Sequence, residues 1–159
     1  MDDSSQRPIV VVDDNEDDVF FFKRLLNKAG VKYRQHSLPG GDEAVSFLAQ
    51  VTDARSRTDA PLVCFLDVKM LGTNGFDVLK WIRRQAELDN VPVVMLSSSD
   101  DDADLRKSAK LGAQCYLRKH PNESDLRKVI AAAVIFGIEP ETRSKHSFDA
   151  PFNLLARKS

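Results

Sequence analysis

Three aspartates, a serine and a lysine carry the chemistry that this sequence offers. Asp67 closes the apolar run 62–66, and Asp13 and Asp14 close the β-branched run 8–12. Ser97 follows the run 91–96, and Lys119 stands just beyond the short run 115–117. Each run is too short for a helix and lacks a polar face, so each reads as a strand buried on both sides. Buried strands of that kind belong to parallel sheets, and an open parallel sheet gathers all its carboxyl ends along one edge. Asp13, Asp14, Asp67, Ser97 and Lys119 are therefore expected to meet in space although they are scattered along the chain.

Carboxylates held that close repel one another unless a cation relieves them. A hard divalent ion suits an all-oxygen set, and Mg²⁺ typically takes one or two carboxylates and keeps several waters. Asp14 and Asp67 are placed to ligate directly and Asp13 through water. Lys119 adds a fixed positive charge and Ser97 a short hydroxyl. Together they would neutralise a phosphoryl group on Asp67, the carboxylate nucleophile, giving an aspartyl phosphate. Taken singly, each residue has a plainer reading: Asp13 or Asp14 as a helix N-cap, Ser97 as a turn residue, Lys119 as a solvated lysine. His36, His120 and His146 share no metal-like spacing and read as surface or packing residues.

The elements that would position these groups alternate regularly. Helical periodicity predicts helices over 16–29, 42–51, 76–88, 101–111 and 122–136, with a weak edge strand over 32–37. The inward faces are expected to carry Val19, Phe22, Leu26 and Ala29, then Ala44, Phe47, Leu48 and Val51. Phe76, Leu79, Ile82 and Ala86 follow, and last Leu126, Val129, Ile130, Ala133 and Val134. Strands alternating with helices five times predict an α/β domain with helices on both faces of a parallel sheet. The 159 residues suffice for one core, and a formal net charge of −1 gives no global attraction to nucleic acid or an anionic membrane. The acidic start is no secretory signal, and no apolar run approaches the roughly 18 residues of a membrane span. Cys64 and Cys115 fall in strand-like runs and read as buried, reduced thiols of a cytoplasmic protein.

The combined pattern resembles the receiver domain of two-component response regulators. The matching stretches are VVVDDNEDD, FLDVKMLGTNG, VVMLSSSD and CYLRKHP, spread over residues 7–138. The spacing matches too: Ser97 lies 30 residues after Asp67, Gly75 lies 8 after it, and Tyr116 lies three before Lys119. The acidic loop after the first strand, the extended segment before the third and the SSSD run resemble single-domain regulators that partner bacterial phytochromes. The resemblance implies a flavodoxin-like, doubly wound sheet of five strands in order 2-1-3-4-5 with five helices. It implies that Asp67 is the phosphoacceptor and that Mg²⁺ sits on Asp13, Asp14, Asp67 and the backbone carbonyl of Lys69. Ser97 and Tyr116 would form a switch pair, and Lys119 would bind the phosphoryl group. A histidine kinase would be the donor, a protein the downstream target, and the chain would catalyse its own phosphorylation and autodephosphorylation without being an enzyme in the ordinary sense.

The sequence departs from the family pattern at three places. Leu71 and His120 stand where proline is usual, and Lys69 where a neutral residue is common. A dehalogenase-like phosphatase would want an acid two residues after the nucleophile, where Lys69 stands. A flavodoxin-like cofactor site would not tolerate Asp13, Asp14, Glu16, Asp17 and Asp18 beside a phosphate. A receiver-like binding module that is never phosphorylated is a third alternative. The domain is expected over 1–139, with 140–159 as a tail able to contact a partner or a second copy in a homodimer.

Overall fold

The apolar runs lie side by side as the interior of one sheet. The computed structural model describes residues 7–53, 55, 60–99 and 101–138. Strands β1 (Ile9–Val12), β2 (Gln35–Leu38), β3 (Val63–Asp67), β4 (Val93–Ser97) and β5 (Cys115–Arg118) pair in parallel in the order β2-β1-β3-β4-β5. Between and after them run α1 (Glu16–Lys28), α2 (Gly41–Thr52), α3 (Gly75–Arg83), α4 (Asp102–Lys110) and α5 (Glu123–Ile138). The predicted fold class and strand order are those observed. The predicted tail, 140–159, lies outside the described residues, as does His146.

Strand side chains alternate between the two faces, and the core divides accordingly. Ile9 and Val11, Val63 and Phe65, Val94 and Leu96, and Cys115 and Leu117 pack with Phe22 and Leu26 of α1 and Leu126, Val129 and Ala133 of α5. Val10 and Val12, Cys64 and Leu66, and Val93 and Met95 pack with Ala44 and Leu48 of α2 and Phe76, Leu79 and Ile82 of α3. Cys64 and Cys115 are both free, buried and on opposite sides of the sheet. Burial pushes the Cys64 thiol up to about 12 and raises Cys115 as well, so neither is a ready nucleophile. Among the described residues no helix is long and apolar enough to cross a membrane.

Most boundaries move by only a residue or two from those predicted, and three of the shifts have a structural reason. The helix predicted over 76–88 stops at Arg83; Gln85 is extended, and Ala86–Leu88 forms a separate 3₁₀ turn. The cause is Arg83, whose guanidinium donates to the carbonyls of Gly112, Leu88 and Val91 and to the Gln114 side chain, holding the reversal. Leu88 is consequently buried, and Ala86, expected inside, is exposed. The edge strand begins at Gln35 rather than residue 32, because its ladder starts opposite Ile9. The fourth strand starts two residues later than predicted, at Val93, and ends one later, which brings Ser97 into the ladder opposite Arg118. Val19, Phe47, Val51 and Val134 sit in the predicted faces but are only half-buried.

The turn from β3 to α3 fixes the strand end that matters most. The Gly75 N–H donates to the Val68 carbonyl, and a Cβ on Gly75 would collide with the backbone carbonyl of Asp67. That close approach, and not backbone freedom, requires glycine here. Replacing Gly75→Ala is expected to cost about 3 kcal/mol in urea unfolding, since overpacking against backbone cannot be relieved by a rotamer change. A loss well below about 1 kcal/mol would show that the turn yields without moving Asp67.

Candidate functional site

The ladder continues past the strands and pins the groups at their ends. The Asp13 N–H donates to the Leu38 carbonyl at 3.2 Å, and the Lys119 N–H to the Ser97 carbonyl at 2.8 Å. Strand alternation then sends side chains to defined faces. Asp67 continues the Val63–Phe65 series and Lys119 the Cys115–Leu117 series, so both belong to the α1–α5 side. Ser97 and Tyr116 continue the opposite series.

On the α1–α5 side the Lys119 ammonium sits among three carboxylates. Its Nζ lies 2.6 Å from Asp18 Oδ2, 3.2 Å from Asp13 Oδ2 and 3.3 Å from Asp67 Oδ2. Asp13 and Asp67 are almost fully buried. Burial, and after it the charge of Asp13, push the Asp67 carboxyl up to about 7, against the opposing pull of Lys119. Burial works against the charge on Lys119 too. The hydrogen bond to Asp18 and the charges of Asp67 and Asp13 outweigh it, holding the ammonium above the ordinary lysine range.

Asp13, Asp14 and Asp67 each offer an oxygen within 4.8 Å of the others. With no sulfur or imidazole among them, the set fits a hard divalent cation. Asp14 is exposed, and its Oδ2 accepts the Leu71 N–H at 3.1 Å, which leaves its other oxygen for a ligand. Neither Asp13 nor Asp14 caps α1. Asn15 does, accepting from the Asp18 N–H, while Asp13 Oδ1 accepts from the Asn15 N–H. The Lys69 N–H points to Asp67 Oδ1 at 3.4 Å, and its side chain is exposed.

On the other side, Ser97 and Tyr116 meet at one residue. Ser97 Oγ accepts the Ser99 N–H at 3.1 Å, and the Tyr116 hydroxyl donates to the Ser99 carbonyl at 2.9 Å. A cleft of about 460 Å³ lined by Asp18, Ser97, Ser98, Arg118, Lys119 and His120 opens beside the strand ends. His120 adopts φ 60° with no cis bond among the described residues, so the usual proline is replaced by a left-handed histidine. Lys119 keeps its carboxylate contacts all the same. His36 packs against Phe47, as a packing histidine should. His120 is exposed as expected, yet its ring meets Phe21 and its Nε2 lies 3.7 Å from Asp18 Oδ1. Two residues were not anticipated as members of the site, Asp18 and Ser99. The signal for Asp18 lay in the third acidic position of the first helical turn.

Known proteins share this fold and much of its sequence pattern. The profile of the response regulator receiver domain matches residues 9–131. Response regulator Rcp1 of Synechocystis is 29% identical over 120 residues, covering 76% of this chain and 81% of Rcp1. A manganese-bound structure of Rcp1 superposes with TM-score 0.64 at 27% identity, over 87% of this chain and 98% of that one. The bacteriophytochrome response regulator AtBRR superposes with TM-score 0.70 at 30% identity, over 80% of this chain and 91% of that one. The phosphorylated cyanobacterial phytochrome response regulator RcpA gives 0.66 at 27%, over 87% and 98%.

The raised Asp67 carboxyl makes the metal-free protein sensitive to pH. Between the ordinary value of 3.8 and about 7, the folded chain binds a proton that the unfolded chain has released. Stability from this group is therefore full below the lower value and is lost as pH rises through the upper one. Asp67→Asn removes the charge. It is expected to raise the unfolding free energy of metal-free protein by about 2 kcal/mol near pH 8 and by much less near pH 5. Urea titrations at the two pH values check this; an equal gain at both would mean that Asp67 is not strained by its charge.

Proposed function

The chain belongs to the family of response regulator receiver domains, and on that premise we propose that Asp67 accepts a phosphoryl group from the phosphohistidine of a histidine kinase. The observation that carries this reading is the buried Asp67 carboxylate, flanked by Asp13 and within 3.3 Å of Lys119. An Asp67 oxygen attacks phosphorus in line, the phosphorus–nitrogen bond to the donor breaks, and the imidazole keeps the electron pair and takes a proton. Desolvation by the surrounding strands leaves the nucleophile poorly hydrated, and Lys119 supplies charge compensation where the phosphoryl oxygens collect. Asp13, Asp14, Asp67 and the Lys69 backbone carbonyl would hold Mg²⁺, which supplies neutralisation of the charge that gathers in phosphoryl transfer. Manganese on Rcp1 supports a divalent ion in this class of site. The phytochrome regulators among the similar proteins favour a phytochrome-type kinase as donor. A protein acting in the cytoplasm is the expected target, with autodephosphorylation ending the signal. A homodimer would involve the region beyond residue 139.

The outgoing signal runs through Ser97 and Tyr116. A phosphoryl oxygen on Asp67 would draw the Ser97 hydroxyl towards itself and weaken its hold on the Ser99 N–H. Tyr116, anchored to the carbonyl of the same residue, would then settle into a new balance with the loop before α4. This is a shift between two packings of one fold.

Intact mass after incubation with Mg²⁺ and acetyl phosphate tests the acceptor. A gain of one phosphoryl group is expected in the natural chain and none in Asp67→Ala or after chelation. Labelling that persists in Asp67→Ala would overturn the assignment. For the switch, the amides of Ser99 and Tyr116 are expected to move in NMR spectra on adding beryllofluoride and Mg²⁺. Resonances that stay put while Asp67 is occupied would rule this route out.

A further inference from the structure

We propose that Asp18 is the positioning residue for Lys119: it holds the ammonium in place while Asp67 and Asp13 change state. The inference rests on the phosphoacceptor reading above. An ammonium has three N–H donors, and Lys119 faces three carboxylates, Asp18 at 2.6 Å, Asp13 at 3.2 Å and Asp67 at 3.3 Å. Two of these partners are committed to other work. The Asp67 carboxylate oxygens give up their charge when they form the acyl phosphate, the charge then lying on the phosphoryl oxygens, and Asp13 shares its charge with a bound cation. Asp18 stands outside the cation cluster, which comprises Asp13, Asp14 and Asp67. It is also the nearest of the three. Of the three, it alone offers Lys119 the same carboxylate before, during and after the reaction.

The local sequence shows that Asp18 is free for this task. Three helices begin with the same pattern, Asn-x-x-Asp: Asn15–Asp18, Asn74–Asp77 and Asn122–Asp125. In each, the asparagine side chain accepts the N–H of the aspartate. At α3 the Asp77 carboxylate returns the bond to the Asn74 N–H, and at α5 the Asp125 carboxylate accepts from the Asn122 side chain. At α1 the return bond to the Asn15 N–H comes from Asp13 instead. Asp18 is thereby released from capping, and its carboxylate reaches across to β5, 101 residues away in sequence. Its second oxygen faces His120, whose ring rests on Phe21 of the same helix. The helix N-terminus does not depend on the Asp18 carboxylate, so a change there tests Lys119 and not the fold of α1.

The experiment uses the full chain as wild type, Asp18→Asn and Asp18→Glu, with acetyl phosphate and Mg²⁺. Losing one charge-assisted hydrogen bond is expected to slow phosphorylation of Asp67 by about tenfold in Asp18→Asn. Asp18→Glu, which keeps the charge within reach of a flexible lysine, is expected to recover most of the rate. The ¹⁵N-labelled ammonium of Lys119 gives a second reading that general loosening of the structure would not reproduce. Its NMR signal should be protected from exchange in wild type and Asp18→Glu, and lost in Asp18→Asn while the backbone spectrum is retained. A wild-type rate in Asp18→Asn, or an unchanged Lys119 signal, overturns the proposal. A wild-type chain that takes up no phosphoryl group defeats the preceding reading instead, and the Lys119 signal then still decides this one.

Discussion

A single ammonium among three carboxylates is the constraint on which the rest of this structure turns. Lys119 is two-thirds of the chain away from Asp13 and Asp18, yet all three meet within hydrogen-bond reach. Two of its carboxylate partners are buried, and a buried carboxylate without a counter-charge is costly. The compensation is incomplete. Asp67 is still pushed up to about 7, because desolvation and Asp13 together outweigh Lys119. A group left in that condition has something to gain from a cation, which offsets its charge. The strain of the resting site and its chemistry are thus one property.

Holding such a cluster requires a rigid frame, and the parallel sheet supplies it. The residues of β1, β3 and β4 are buried along their whole length, with α1 and α5 on one face and α2 and α3 on the other. Because side chains alternate, the strand ends distribute functions between the two faces. The lysine and its carboxylates lie towards α1, while Ser97 and Tyr116 lie towards the α3–α4 side and grip Ser99 from its two ends. Charge is gathered on one side of the sheet, and the proposed switch pair lies on the other. The two sides meet past the strand ends, in the cleft that Ser97 and Lys119 both line.

Much of this was legible in the chain because the strands announce themselves. Runs such as Pro8–Val12 with Asp13 behind them fix both an element and the edge on which its last residue sits. The gathering of Asp13, Asp14, Asp67, Ser97 and Lys119 at one edge follows from that, whereas the order of the strands came from the resemblance to receiver domains. Boundaries were less legible where a distant side chain sets them. Nothing in the periodicity of 76–88 announces that Arg83 will turn inward to hold carbonyls of residues 88, 91 and 112, ending α3 early and exposing Ala86. Ser99 was missed because its part is played by backbone atoms, which no residue type advertises.

Asp18 was hidden for a different reason, and it shows where reading by local rules stops. An aspartate three residues after an asparagine at a helix start is adequately explained as a capping partner, and at Asp77 that explanation is correct. The same local pattern serves another end at Asp18 only because Asp13, two residues before the cap, takes the capping bond. Asp13 can do so because β1 ends one residue earlier, which places its carboxylate over the Asn15 N–H. Three of the five acids in the run DDNEDD, Asp13, Asp14 and Asp18, therefore divide the labour, while Glu16 and Asp17 stay exposed. One carboxylate stays exposed toward the cation cluster, one caps and compensates, and one leaves the helix to meet β5. Local propensity would allow any of these roles to each of them, and only the long-range placement of Lys119 decides between them.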